Sequence, residues 1–317
     1  MFHKKVKVFK IVLATFIIIC IIGTVILGFL GNYLYNYALN SNAKKTIFSS
    51  SEKKLETSGE IKEPDQAWLL KKAKDITLNS KDGLLLHAYE INNKSDIYVI
   101  AVHGYRSEGL GMASYAKHFN NIGYNVLVPD LRGHGKSEGN NVGMGWPDRL
   151  DLLEWINVIL KEKKNAKVIL MGVSMGAATV MMASGEKLPS QVKCIIEDCG
   201  YTSVWDEFKL QLKNEFHLPA FPVLNAASVV TRLRAGYDFT EADAAKQVRK
   251  SKTPILFIHG DSDTFVPYSM LEPLYNAAKC AKMKVVIKGA EHAKSSVIDP
   301  NTYWNAVEHW VVKYTNQ

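Results

Sequence analysis

The sequence is poor in cysteine, and what it has forms no framework. There are four cysteines in 317 residues, with no metal-type spacing. Cys20 lies inside an apolar run. Cys194 and Cys199 bracket one predicted strand, whose five residues span ~16 Å, too far for a disulfide between them. Cys280 has no assigned partner. The chain also lacks a charge excess of the kind that binds nucleic acid. Its net charge is +8, but residues 1–80 hold 12 Lys against 6 Asp or Glu. That leaves a surplus of only two for residues 81–317. The basic excess sits around the N-terminal apolar run and the polar stretch after it, where anionic lipid is the natural partner. No internal repeat is present.

Charge is missing altogether from Ile11 to Leu30. Twenty such residues are long enough to cross ~30 Å of hydrocarbon as a helix. Lys4, Lys5, Lys7 and Lys10 precede the run, so the positive-inside rule leaves the N-terminus in the cytoplasm. The expectation is a single-pass cell-membrane protein with its remaining chain outside. Ser41-Asn42-Ala43 loosely resembles a signal-peptidase site. The apolar run is longer than the ~7–15 residues usual in a cleaved signal, which favours an uncleaved anchor. A lipoprotein signal ending at Cys20 is rejected, because Ile19 stands where a small residue is needed and the run continues past Cys20.

These features divide the chain into a basic cytoplasmic segment (1–10), a transmembrane anchor (11–30), a linker (31–67) and a globular domain (68–317). Asn40 to Pro64 is rich in Ser, Lys and Glu, as linkers are. Ile76–Asn79 and Leu84–Ile91, flanking Ser80-Lys81-Asp82-Gly83, predict a β-hairpin. Strand and helix patterns then alternate. Predicted strands cover 98–102, 125–128, 167–171, 192–197, 255–258 and 285–287; predicted helices cover 112–122, 146–163, 177–184, 270–278 and 302–314. Such alternation implies an α/β fold, a mainly parallel sheet with helices on both faces. Residues 201–250 break the pattern and carry Trp205, Phe208, Phe216, Phe221 and Tyr237. This reads as a helical insertion, placed to act as a lid over the carboxyl ends of the strands.

Gly172-Val173-Ser174-Met175-Gly176 lies between a predicted strand and a helical run of small residues. That context is a nucleophile elbow, a tight turn that lifts the serine hydroxyl clear of the sheet. Three further motifs accompany it: His103-Gly104-Tyr105, Asp130 to Ser137 (DLRGHGKS), and His259 to Pro267 (HGDSDTFVP). A histidine in Gly289-Ala290-Glu291-His292 completes the set. Over residues 70–315 the sequence thereby resembles the α/β-hydrolase superfamily. It is most similar to bacterial serine hydrolases related to prolyl-oligopeptidase and serine-aminopeptidase domains, some of which carry an N-terminal anchor.

The resemblance implies an eight-stranded α/β-hydrolase fold and a Ser-Asp-His triad in that chain order. Ser174 is the nucleophile. Order removes most of the nine histidines: His3, His87, His103, His118 and His134 precede the serine, and His217 precedes the acid. His259 reads as a packing or turn residue, and His309 lies within the last helix. His292 remains as the base. Asp261 and Asp263 both follow the seventh strand; the resemblance favours Asp263 as the acid and leaves Asp261 to the turn. The oxyanion hole is expected from the backbone N–H groups of Met175, at a helix N-terminus, and Tyr105. The DLRGHGKS loop reads as structural, with Asp130 and Arg132 bracing a turn.

The implied function is membrane-anchored serine hydrolysis of an ester or of an amide or peptide bond through an acyl-enzyme. No metal or organic cofactor is required, and no nucleic-acid partner is expected. A serine at the elbow argues against haloalkane dehalogenase or epoxide hydrolase chemistry. Acyl transfer on the same triad, or a non-catalytic surface binding module, remain open alternatives. The aromatics of the insertion, Trp205, Phe208 and Phe221, are expected to line the substrate pocket.

Overall fold

Long apolar runs in the middle of the chain require burial on both faces, and a parallel sheet supplies it. The computed structural model describes residues 2–42 and 63–316. Among them, eight strands form one sheet: β1 (Lys74–Asn79), β2 (Leu85–Ile91), β3 (Ile97–Val102), β4 (Asn125–Pro129), β5 (Lys167–Val173), β6 (Val192–Asp198), β7 (Ile255–Gly260) and β8 (Lys282–Ile287). The order is β1-β2-β4-β3-β5-β6-β7-β8. Neighbours from β4 through β8 are parallel. The predicted hairpin β1–β2 pairs antiparallel and joins β4 antiparallel, so the sheet is mixed at one edge.

Alternate residues of each central strand enter opposite core layers, as the two-residue repeat of a strand dictates. Ile100, Val102 and Leu170 face one layer, while Val99, Ala101, Ile169 and Met171 face the other. Helix α1 (Phe2–Ala38) stands at the N-terminus. Helices α2 (Glu63–Lys72) and α3 (Ala113–Asn121) contribute Leu69, Ala116 and Phe119 to the second layer. Helices α4 (Asp148–Glu162) and α5 (Met175–Ser184) contribute Trp155, Ile156 and Met181 to the first. Arg132 ties the loop after β4 to α4, with Nε and Nη2 on the two carboxylate oxygens of Asp151, at 2.7 Å each.

The insertion folds as three helices between β6 and β7: α6 (Val204–Phe216), α7 (Ala220–Ala235) and α8 (Ala244–Val248). Their ends are locally encoded. Ser203 accepts the Asp206 N–H and Asp243 accepts the Lys246 N–H, and Gly236 closes α7 in a left-handed turn. After β7 come α9 (Leu271–Ala277), α10 (Ser295–Ile298) and α11 (Pro300–Thr315), and α11 seals the second layer with Tyr303, Val307 and Trp310.

Helix α1 differs from the expected anchor. It does not stop at Leu30 but continues to Ala38, into residues assigned to the linker. Its apolar stretch is largely exposed, whereas Leu34, Tyr35 and Leu39 are buried against the globular domain. Gly31 lets α1 approach α7 closely: a Cβ there would lie 2.8 Å from the backbone of Ala226. Arg234 of α7 bonds Asn32 and Asn36 and stacks 4.1 Å over the ring of Tyr35. The Tyr35 hydroxyl bonds Asn141. Beyond the helix, Leu39 to Ser41 pair with residues 139–142 through the Val142 N–H to Leu39 O, the Ser41 N–H to Asn140 O and an Asn40–Asn141 bridge. Most of the remaining linker lies outside the described residues. Cys20, Cys194, Cys199 and Cys280 are all free thiols.

Candidate active site

The sheet delivers Ser174 at the end of β5, on the turn into α5. Its backbone has φ 57° and ψ −117°, a strained conformation for a residue with a Cβ. The Ser174 N–H is held by the carbonyl of Asp198 at 2.8 Å. Glycines are required on either side. A Cβ on Gly172 would run into the Gly176 backbone, and one on Gly176 into the Val102 carbonyl.

Two loops from neighbouring strand ends complete the constellation. His292 lies in the loop after β8, with Nε2 2.8 Å from Ser174 Oγ and Nδ1 2.7 Å from Asp263 Oδ2. All three residues are buried. Asp263 is fixed from its other oxygen, which accepts the N–H groups of Phe265 and Val266 at 3.0 Å. Burial opposes ionisation of Asp263, but hydrogen bonds from His259 and His292 outweigh it and hold its pKa below the ordinary carboxylate value. Asp261 is exposed and accepts the Gly289 N–H at 2.6 Å. It braces the loop that carries His292 and makes no contact with that imidazole.

His259 does more than pack. Its Nε2 lies 3.0 Å from the Val266 carbonyl and 3.3 Å from Asp263 Oδ2, the same oxygen that meets His292, so it helps to hold the acid in place. His103 has a structural role. Its Nδ1 donates to the Gly104 carbonyl at 2.8 Å and its Nε2 accepts the Leu131 N–H at 3.0 Å. Burial, helped by His134, pushes its pKa down to about 3, so the ring is neutral. This fixes the turn after β3 that carries Gly104 and Tyr105. An added Cβ on Gly104 would lie 3.4 Å from the Ser174 Cβ, so that turn passes directly beside the serine. Met175 follows Ser174 as the first residue of α5, where backbone N–H groups have no acceptor within the helix. The Tyr105 phenol is engaged elsewhere: it donates to the carbonyl of Ala38 at 2.6 Å.

Ser174 opens into a pocket whose walls are mostly apolar side chains, the lining typical of a small-molecule site. Phe208 of α6 lines it, as expected from the sequence. Trp205 and Phe221 do not. Trp205 packs against the first core layer, and Phe221 is 77% exposed on the outside of α7. Phe216, Leu224 and Phe239 supply the apolar wall instead, together with Leu34, Tyr37 and Ala38 of α1. The α1 contribution had a signal in the sequence. Leu30, Leu34 and Ala38 repeat at helical spacing among Asn and Tyr residues, which marks a helix with a buried stripe.

Two carboxyl groups also line the pocket, Glu207 and Glu215. Glu207 is buried, and burial pushes its pKa up to about 8. Its Oε1 accepts from Gln211 at 2.7 Å, while Oε2 has no partner. Cys199, Asp263 and His292 present ligand atoms within 4.8 Å of one another. Both imidazole nitrogens of His292 are already committed to Ser174 and Asp263, so this group suits proton transfer better than metal ligation.

Comparisons with known proteins agree with this architecture. A hydrolase family model described as serine aminopeptidase, S33, matches residues 93–224. That span contains Ser174 and stops before Asp263 and His292. The uncharacterized protein YqkD of Bacillus subtilis (strain 168) is 30% identical over 215 residues, which cover 67% of this chain and 70% of that protein. The lysophosphatidylserine lipase ABHD12 of Danio rerio is 26% identical over 179 residues, 52% of this chain and 42% of that one. Among solved structures, the Pyrococcus furiosus esterase Pf2001 superimposes with a TM-score of 0.63 at 23% identity, covering 76% of this chain and 91% of the other.

Proposed function

The chain belongs to the α/β-hydrolase superfamily and is a serine hydrolase; from that premise we propose that it cleaves esters with an apolar acyl group, through an acyl-enzyme on Ser174. The observation that carries this reading is the unbroken chain of hydrogen bonds from Ser174 Oγ through His292 to Asp263. His292 Nε2 takes the Ser174 proton as Oγ attacks the carbonyl carbon. Asp263 keeps the other ring proton on Nδ1 and stabilises the imidazolium that forms. The oxyanion meets the backbone N–H groups of Met175 and Tyr105. The imidazolium returns its proton to the leaving group, and His292 then activates water to release the acyl group.

The apolar wall of Phe208, Phe216, Leu224 and Phe239 suits an acyl chain. The lipase name of the Danio rerio relative supports an ester substrate. A second reading, cleavage of an aminoacyl amide, rests on Glu207 and Glu215, which offer carboxylates to a substrate ammonium. The ester reading is preferred because burial keeps Glu207 neutral near pH 7. The proposal extends to topology: residues 11–30 cross the membrane, the early lysines stay in the cytoplasm, and the hydrolase domain lies outside.

A fluorophosphonate probe should label the full-length protein, and Ser174→Ala should abolish labelling. Labelling that survives in the variant would refute the nucleophile assignment. Turnover of aminoacyl amides in preference to acyl esters, lost in Glu207→Gln, would favour the second reading.

A further inference from the structure

Helix α1 is both the proposed anchor and part of the pocket wall, and this sets the height of the pocket above the bilayer. Leu30 ends the apolar run; Asn32 soon follows, although no charged residue appears before Lys44. At 1.5 Å per residue, Leu34 lies ~6 Å beyond it and Ala38 ~12 Å beyond it. The headgroup layer on each side of the hydrocarbon is about 5–8 Å thick. Leu34, Tyr37 and Ala38, which line the pocket beside Ser174, therefore stand within that layer and just above it. Arg234 fits the same depth. Its guanidinium bonds Asn32 and Asn36, and Arg side chains favour the membrane interface over the hydrocarbon.

Helix α7 extends the relationship sideways. It packs along α1 at Gly31 and Ala226. Its Leu224 and Ala227 line the pocket. On its outer side Phe221, Val229 and Leu233 are exposed by 77%, 60% and 80%. Val229 and Leu233, one turn apart, share one face of the helix, while Phe221 stands at a break in the helical backbone, with Asn225 between it and Val229. A soluble surface has little use for that face, whereas a helix fixed beside a spanning helix presents it to lipid.

We infer that the last turns of α1 form one wall of the acyl site, and that the substrate is a membrane lipid ester whose acyl chain reaches Ser174 from the leaflet that α1 leaves. This rests on the hydrolase and anchor readings above. Lipid ester carbonyls sit at the boundary of hydrocarbon and headgroup, ~6 Å below Leu34 on the same spacing, so a lipid that rises by about one helical turn brings its carbonyl to the pocket. The substrate need not leave the bilayer fully. Its chain exchanges lipid for the apolar wall, at little cost in hydrophobic free energy. Leu34 then acts as a specificity residue, because its volume limits how much chain the site holds.

The test uses the full-length protein in phosphatidylcholine–phosphatidylglycerol vesicles, with butyryl and palmitoyl esters of one fluorogenic alcohol. Leu34→Trp should lower the palmitoyl-to-butyryl turnover ratio by about tenfold, the scale on which pocket volume discriminates chains. Leu34→Ala, which keeps the helix and should fold even if the tryptophan variant does not, should keep or raise that ratio. Palmitoyl turnover should follow the mole fraction of ester in the vesicle, and adding ester-free lipid should slow it in proportion. Wild-type ratios in both Leu34 variants, or palmitoyl turnover that follows bulk concentration, would overturn the inference while butyryl hydrolysis still depended on Ser174. Loss of Ser174-dependent butyryl hydrolysis in the wild type would overturn the hydrolase reading, and this inference with it.

Discussion

Tyr105, in the turn beside Ser174, donates its phenolic hydrogen bond to the carbonyl of Ala38, the last residue of α1, at 2.6 Å. Arg106 repeats the link one residue on, reaching the Tyr37 carbonyl at 2.7 Å. The turn proposed to hold the oxyanion is thus tied to the C-terminal end of α1. Carbonyls there have no partner within the helix, and these two side chains satisfy them.

Tyr105→Phe should loosen that tie without emptying the core. A net hydrogen bond of ~1 kcal/mol corresponds to about a fivefold change. The expected outcome is a fall of that size in kcat with little change in KM, since the turn serves the transition state more than substrate binding. Steady-state kinetics on a soluble ester check it. A change confined to KM would mean that the phenol shapes the pocket and does not steady the turn.

The two candidate carboxylates separate sharply. Asp263→Asn should cost about 10⁴ in turnover, the size seen for this exchange in serine-protease triads, because the amide favours the wrong imidazole tautomer. Asp261→Asn should cost far less, since that side chain only braces Gly289. His259→Phe should give an intermediate loss by removing one of the two imidazoles at Asp263 Oδ2. Rates from purified variants with matching circular dichroism decide the ranking, and the reverse order for the two aspartates would contradict this assignment.

Stability should fall as pH rises from about 5 to about 8. Burial pushes Glu207 and Glu197 up to about 8 and Asp148 up to about 7. In that window the folded chain holds protons that the unfolded chain has released. Each such group then costs up to ~1.4 kcal/mol per pH unit until its folded pKa is passed. Asp263 works the other way at the acid end: its depressed pKa contributes stability that disappears only as pH falls through the folded value. Thermal denaturation across this range checks the sign, and Glu207→Gln should flatten the slope. A midpoint that climbs from pH 5 to 8 would contradict it.

Gly31→Val should part α1 from α7, because the new Cβ meets Ala226 backbone that cannot move aside cheaply. Overpacking of this kind costs about 1–3 kcal/mol. The variant should show a lower melting midpoint and faster protease cleavage within α6 and α7. Unchanged protection would mean that the two helices touch only in passing.

The sequence made the sheet and the reacting residues legible for a physical reason. Fully buried strands such as Val168–Val173 are nearly pure apolar runs, and a serine between glycines has few other uses at a strand end. His292 and Asp263 could be ordered because chain order is part of the fold. The pocket was harder to read. Phe221 and Phe208 look alike in sequence, but only helix phase and the path of α7 decide that one faces lipid or water and the other Ser174. Leu34 was obscured for a different reason. Its helical spacing from Leu30 and Ala38 marks a buried stripe, but nothing local names the partner, a helix nearly 200 residues away.

The pairing of Leu39–Ser41 with residues 139–142 has a mechanical consequence. Helix α1 is held to the hydrolase by its own packing and by this zipper, in addition to the peptide chain. A protease cut in residues 43–62 would therefore leave the domain seated on its anchor. Under the proposed topology the active face keeps one fixed tilt and height over the lipid, where a hydrolase on a free stalk would sample many. On the lipid-ester proposal, such an enzyme would meet its substrates by diffusion in a plane, and its rate would follow what the leaflet contains more than what the surrounding fluid carries.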